Sequence, residues 1–218
     1  MDVTSPVLQV KRWAFGLMVC FLPLFGACSE VTTEHFLSEP SSEAADTGLT
    51  GRWYVADDDE TSLLWVSEPE NGLFEARLMI LDSLTETGTE PDISPLDFSF
   101  HTSRVGEHSY ANVIAMNWVP DDVEAEKPER SIGRWIFHFR FSEDDALEIR
   151  VMDADKAEEI LGAGRLKGQI FKRRYDTEVR LSNSTEELRA FLANNPTDAL
   201  FSDEIIGPFR RMVLKPAD

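Results

Sequence analysis

Apolar and polar residues alternate one by one along several short stretches of the chain. Phe74, Ala76, Leu78 and Ile80 are interleaved with Glu75, Arg77 and Met79. Leu96, Phe98 and Phe100 are interleaved with Asp97, Ser99 and His101, and Trp135, Phe137, Phe139 and Phe141 with Ile136, His138 and Arg140. Leu147, Ile149 and Val151 continue the pattern. A period of two over such lengths predicts strands with one face turned inward. Less regular strands are expected at Gly51–Ala56, Leu63–Val66, Ser109–Trp118, Gly168–Tyr175, Glu178–Leu181 and Phe209–Leu214. Turn-forming residues separate them, as at Glu70-Asn71-Gly72 and Val105-Gly106. The stretch from Pro120 to Ser131 is polar, contains two prolines and reads as a long loop.

The period changes twice in the C-terminal half. Asp155–Leu161, stopped by Gly162, predicts a short helix. Ser184-Thr185-Glu186-Glu187 has the form of a capping box, and Leu188, Phe191 and Leu192 then fall on one helical face before Pro196. A further helical turn is expected at Ser202–Ile206. The fold class is therefore mainly β, an antiparallel barrel or sandwich with two short helices in the C-terminal half.

The N-terminus follows another rule. Lys11 and Arg12 precede an apolar run from Trp13 to Ala27, which ends in Gly26-Ala27-Cys28. Fifteen residues make a helix of about 22 Å, short for a bilayer core. Basic residues, a short apolar segment, small residues and then cysteine resemble the signal peptide of bacterial lipoproteins, with Phe25 at the place that usually holds leucine. The resemblance implies a signal segment at 1–27 and a lipid on Cys28. In enterobacterial lipoproteins an Asp after the cysteine resembles an inner-membrane retention signal. Ser29 stands there instead, which implies an outer-membrane address facing the periplasm. Residues 28–48 are rich in Ser, Thr and Glu and read as a flexible tether, with Phe36 and Leu37 as its one apolar pair. A single β-rich domain is expected at 49–218. Cys20 falls in the apolar run and Cys28 on the anchor, so the domain itself carries no thiol for a disulfide, a nucleophile or a metal site.

Charge narrows the partners. The net charge of −19 excludes nucleic acid as a natural ligand and favours a monomer kept apart from its copies by repulsion. Arg165, Lys167, Lys172, Arg173, Arg174 and Arg180 run against that trend. They read as cations of a strand face paired with neighbouring carboxylates, or else as a docking patch for an anionic partner.

Gly51-Arg52-Trp53-Tyr54 opens the first strand of the expected domain. This resembles the Gly-x-Trp motif of lipocalins, antiparallel barrels that bind small apolar ligands. The family's middle Thr-Asp-Tyr motif is missing. The resemblance implies that Trp53 closes the barrel base beside an arginine from near the last strand, Arg210 or Arg211. The strand-rich body followed by the Ser184–Leu192 helix also resembles a set of uncharacterised bacterial exported proteins, and implies no activity.

Trp53, Phe98, Phe100, Trp135, Phe137, Phe139 and Phe141 are expected to face the interior. An eight-stranded barrel holds side chains or one small ligand, and this many rings favours filling. His101 and His138 fall on polar phases and read as surface residues. Joined by a carboxylate across strands they would form a metal site, but no clustered His or Cys motif supports one. The acidic runs Asp57–Glu60, Glu143–Asp145 and Asp153-Ala154-Asp155 lack the glycine-bearing spacing of a calcium loop and read as solvated turns. No catalytic residue, metal or cofactor is assigned. The expected function is a non-enzymatic, membrane-tethered binding module for a small apolar ligand or an envelope protein. The alternatives are a structural or assembly factor acting through its surface, and a hydrolase.

Overall fold

The computed structural model describes residues 30–43, 45–56, 60–82, 95–117, 134–172 and 177–213. The expected signal segment, Cys28, the expected loop at 120–131 and Arg173-Arg174 lie outside the described residues. Eleven strands and two helices follow one another as β1 (Glu30–Thr33), β2 (Gly51–Ala56), β3 (Glu60–Val66), β4 (Phe74–Asp82), β5 (Pro95–Val105), β6 (His108–Asn117), β7 (Trp135–Phe141), β8 (Leu147–Arg150), α1 (Ala154–Gly162), β9 (Gly168–Lys172), β10 (Thr177–Leu181), α2 (Thr185–Asn194) and β11 (Ile206–Arg211).

Eight strands close into an antiparallel barrel in the order β11-β2-β3-β4-β5-β6-β7-β8. Sequence neighbours pair throughout, apart from β11, which returns after the α1–α2 region to join β8 and β2. The mainly β barrel with two short helices is the expected fold class, and its geometry is compatible with a lipocalin-like fold. Full closure leaves the barrel no edge strand to aggregate. Among the described residues no helix is long and apolar enough to cross a membrane.

The core is in two parts. One fills the barrel and includes Trp53, Leu64, Phe74, Phe100, Val113, Phe139, Leu147 and Phe209. The other lies outside the barrel wall, between β5–β7 and a layer formed by β1, β9, β10, α1 and α2, and includes Tyr110, Ile136, Ala157, Ile160, Val179, Leu188 and Phe201. In that layer β1, β10 and β9 make a three-stranded sheet, with β1 parallel to β10. The second helix begins as its sequence demands: Ser184 Oγ accepts from Glu187 N and the Glu187 carboxylate accepts from Ser184 N. No helix forms at 202–206; the turn lies earlier, as a 3-10 helix at Thr197–Ala199.

The segment expected to be a tether is part of the fold. Val31 is buried in β1 and Leu37 is 0% exposed. Leu37 N donates to Asn112 Oδ1 at 2.9 Å, and Arg189 and Thr185 donate to the carbonyls of Leu37 and Phe36. Ser41 packs so closely on Gly72 that a Cβ there would meet its backbone at 2.5 Å. Ser38 Oγ adds a bond to Ser103 Oγ of β5 at 2.6 Å, while Glu34, His35, Glu39, Ser42 and Glu43 remain exposed.

Candidate functional site

The barrel has two unlike ends. At one, the base, a 3-10 helix at Thr47–Leu49 enters beneath the strands. Trp53 is 1% exposed, donates from Nε1 to Leu49 O at 2.8 Å and stacks on Phe141. Arg211, from the end of β11, lies over the Trp53 ring, 4.1 Å from its centroid. Its two terminal nitrogens donate to Thr50 O at 2.6 Å and Gly48 O at 2.5 Å. A planar fork suits this task, since it satisfies two carbonyls while its face covers the indole. Of the two arginines expected there, Arg211 is the one that lies over Trp53. Arg210 is exposed on the opposite face, beside Tyr54.

Above this base the inward residues are graded. Trp53, Phe74, Phe100, Phe139, Leu147 and Phe209 are buried. Nearer the other end Val55, Leu78, Phe98, Trp135, Phe137 and Ile149 pack against them but remain partly exposed. Cross-strand register puts these residues on the same inner face: Trp135 pairs with Val113, Phe137 with Ala111, and Phe139 with Ile149. The aromatics therefore do not fill the barrel evenly. Most of the upper inward residues keep partial exposure, although Leu96 there is buried and Phe141 at the base is itself partly exposed.

The outer wall of β5–β7 holds a polar group that the alternation did not reveal. His101 is 0% and His138 is 5% exposed, against the expectation of surface histidines. The cause is the second layer: these strands are covered on both faces. His101 Nε2 donates to Ser38 O at 2.7 Å, and its ring meets Phe36 edge-on. Burial lowers its pKa, opposed by the Ser38 carbonyl and Glu39. His138 lies among Tyr110, His108 and Phe201. Burial, aided by His108 and nearby arginines, pushes its pKa down to about 4. Burial also raises the Tyr110 hydroxyl to about 12. Neither His138 Nδ1 nor Tyr110 Oη has a hydrogen-bond partner among the described residues. His101 and His138 stand beside different residues of β6, Asn112 and Tyr110, and are not joined by a carboxylate bridge of the kind a metal needs. Among the described residues no cluster of three potential ligands forms.

Asp153 is the N-cap of α1, accepting from Lys156 N, so the 153–155 acidic group caps a helix. Glu143–Asp145 form an exposed turn between β7 and β8. The described basic residues are largely paired: Lys167 with Glu187, Lys172 with Glu158 and Arg180 with Glu178. A groove of about 480 Å³ beside them, lined by Arg165, Lys167, Asn183, Glu187 and Phe191, lies outside the barrel.

No family model, curated protein or solved structure matches the chain. The geometry alone therefore ranks the sites. The upper barrel offers an apolar surface turned inward, while the buried histidines face packed rings and backbone carbonyls.

Proposed function

We propose that the protein is a lipid-anchored envelope protein whose lipocalin-like barrel binds a small apolar ligand in its upper half. The observation that carries this reading is the graded interior. Val55, Leu78, Phe98, Trp135, Phe137 and Ile149 face inward yet keep solvent contact above a sealed base. Small-molecule sites are concave and mostly apolar, and the mouths of β-barrels are among their usual places. The Trp53–Arg211 closure supports the same reading, because it holds the base shut while the other end is lined for contact. The Lys11–Cys28 pattern supports the anchor and an outer-membrane, periplasm-facing location.

The test is titration with an apolar fluorescent probe. One saturable site is expected, with a change in tryptophan emission from Trp135. Val55→Trp should abolish binding and leave the urea midpoint unchanged. Absence of saturable binding in the folded wild type would remove the ligand-binding reading and leave recognition through the surface.

A further inference from the structure

The second layer covers the outer wall of β5–β7, while the outer wall of β2–β4 meets solvent. Trp53, Leu64 and Ala76 point into the barrel, so their neighbours in these strands point out. Register sets Tyr54, Leu63 and Met79 side by side in one outward row, and Arg52, Trp65 and Arg77 in the next. Strand β11 extends both rows. Arg210 pairs with Tyr54, and Met212 N bonds to Arg52 O. Trp65 is 42% and Met212 40% exposed, two of the five large hydrophobics that stand exposed among the described residues.

This wall runs against the charge of the chain, which is −19 overall. Its two carboxylates are engaged: Asp97 accepts both nitrogens of Arg77 at 2.6 and 2.9 Å, and Glu75 accepts from Ser99 Oγ at 3.0 Å. Arg52 and Arg210 are exposed and make no ion pair among the described residues. Both stand on the β11–β2 side, whereas Leu63 and Met79 stand on the β3–β4 side. The patch is therefore cationic at one end and apolar at the other. Trp, Tyr, Met and Arg are the residues enriched in protein interfaces, where Lys and Glu are depleted. Trp, Tyr and Arg also supply most anchoring contacts. A closed barrel has no edge to extend here, so a partner must be held by side chains rather than as an added strand.

We infer that the outer wall of β11 and β2–β4 is a docking surface for an acidic segment of another protein. Carboxylates of that segment pair with Arg52 and Arg210, and its apolar side chains cover Trp65 and the Tyr54–Leu63–Met79 row. From Arg210 to Met79 is three strand spacings, roughly 14 Å. An extended segment of about four or five residues covers that length. A contact of this size suits a transient partner rather than a permanent subunit. A second copy is a poorer occupant, because a two-fold contact through the patch brings the same arginines together. The surface lies outside the barrel, so it stands or falls independently of the ligand site proposed above.

The probe is a fluorescein-labelled random copolymer of glutamate and tyrosine, followed by anisotropy against the full-length protein. Saturable binding is expected. Arg52→Glu with Arg210→Glu should weaken it about tenfold or more, the loss typical of anchoring residues. Trp65→Thr, which keeps a β-branched residue in β3, should weaken it severalfold. Arg104→Glu with Arg165→Glu removes the same charge from exposed positions elsewhere and should leave the affinity unchanged. The substituted side chains point into solvent, so urea midpoints should stay at the wild-type value. Where one falls, Arg52→Gln with Arg210→Gln and Trp65→Tyr repeat the comparison with milder changes. Polyglutamate without tyrosine should bind more weakly than the copolymer, and equal affinity overturns the apolar half of the surface. No saturable binding of the copolymer, or equal losses in the patch and control variants, overturns the inference. Sedimentation with phosphatidylglycerol vesicles that is lost in the Arg52 and Arg210 variants, without copolymer binding, overturns it in favour of anionic lipid. Dimers that dissociate on Trp65→Thr overturn it in favour of a second copy.

Discussion

The guanidinium of Arg211 stands where a side chain on residue 51 would have to go. A Cβ built on Gly51 would lie 2.8 Å from Arg211 Nη1, and Gly51 itself has φ of +135°. The glycine of Gly51-Arg52-Trp53 is thus required twice, by its own backbone and by the arginine that covers the tryptophan. Gly51→Ala should destabilise the protein by about 1–3 kcal/mol, the usual cost of a non-glycine residue in such a region. Arg211→Lys should also lower the urea midpoint, since an ammonium cannot span both carbonyls. Arg210→Lys, on the exposed face, should not. Equal midpoints for the two arginine variants would remove Arg211 from the closure.

Trp53 and Ser184 set a scale for the two parts of the core. Trp53→Ala opens the barrel base and should cost on the order of 3–5 kcal/mol. Ser184→Ala removes one cap of α2 and should cost about 1 kcal/mol. Urea titrations that place the two variants together would reject this division.

Asn112 joins the N-terminal segment to the barrel wall. Its Oδ1 accepts from Leu37 N, and its Nδ2 donates to Ser103 Oγ at 2.7 Å and more weakly to His101 O. Asn112→Ala leaves buried polar groups without these partners, at about 1–3 kcal/mol for each such group. Limited proteolysis should then cut first within residues 30–43. A cleavage pattern identical to that of the wild type would show that the segment is held without it.

His138 makes stability depend on pH in a defined direction. The folded protein keeps it neutral down to about 4, whereas the unfolded chain takes up its proton near the ordinary value of 6.5. Between these values the unfolded state binds more protons, so stability rises with pH. The contribution is complete above about pH 6.5 and is lost as pH falls towards 4. His138→Phe should flatten this part of the curve, while His101 and the carboxylates act equally in both proteins. Urea midpoints at half-unit pH steps measure the difference, and parallel curves would exclude His138 as a source.

Much of the barrel could be read from alternation because its strands have one apolar face. Gly51–Ala56 and Trp135–Phe141 were legible to the residue, and the capping box marked the start of α2. Alternation misled where a strand is covered on both sides. On β5–β7 the phase opposite the barrel interior holds His101, Ser103, Asn112 and His138, all buried, yet a single sequence presents them as a polar, solvent-facing row. Their cover comes partly from residues 30–43, whose composition matches a linker. Only the Phe36-Leu37 pair hinted at packing. The site was legible in part. Phe98, Trp135 and Phe137 were recognisable as interior residues, but which of them line open space depends on their height in the barrel, and period two carries no information about height.

The route of β11 has a consequence for how the chain matures. The strand that closes the barrel comes long after its partner in the chain, and Arg211 bonds Thr50 across a separation of 161 residues. The same holds outside the barrel, where β1 waits for β10. Neither sheet can be completed by the N-terminal half alone, and contacts of such long range form slowly. A nascent chain of this design stays open until β11 has emerged. That delay would suit the export proposed above, in which the chain crosses a membrane before it folds.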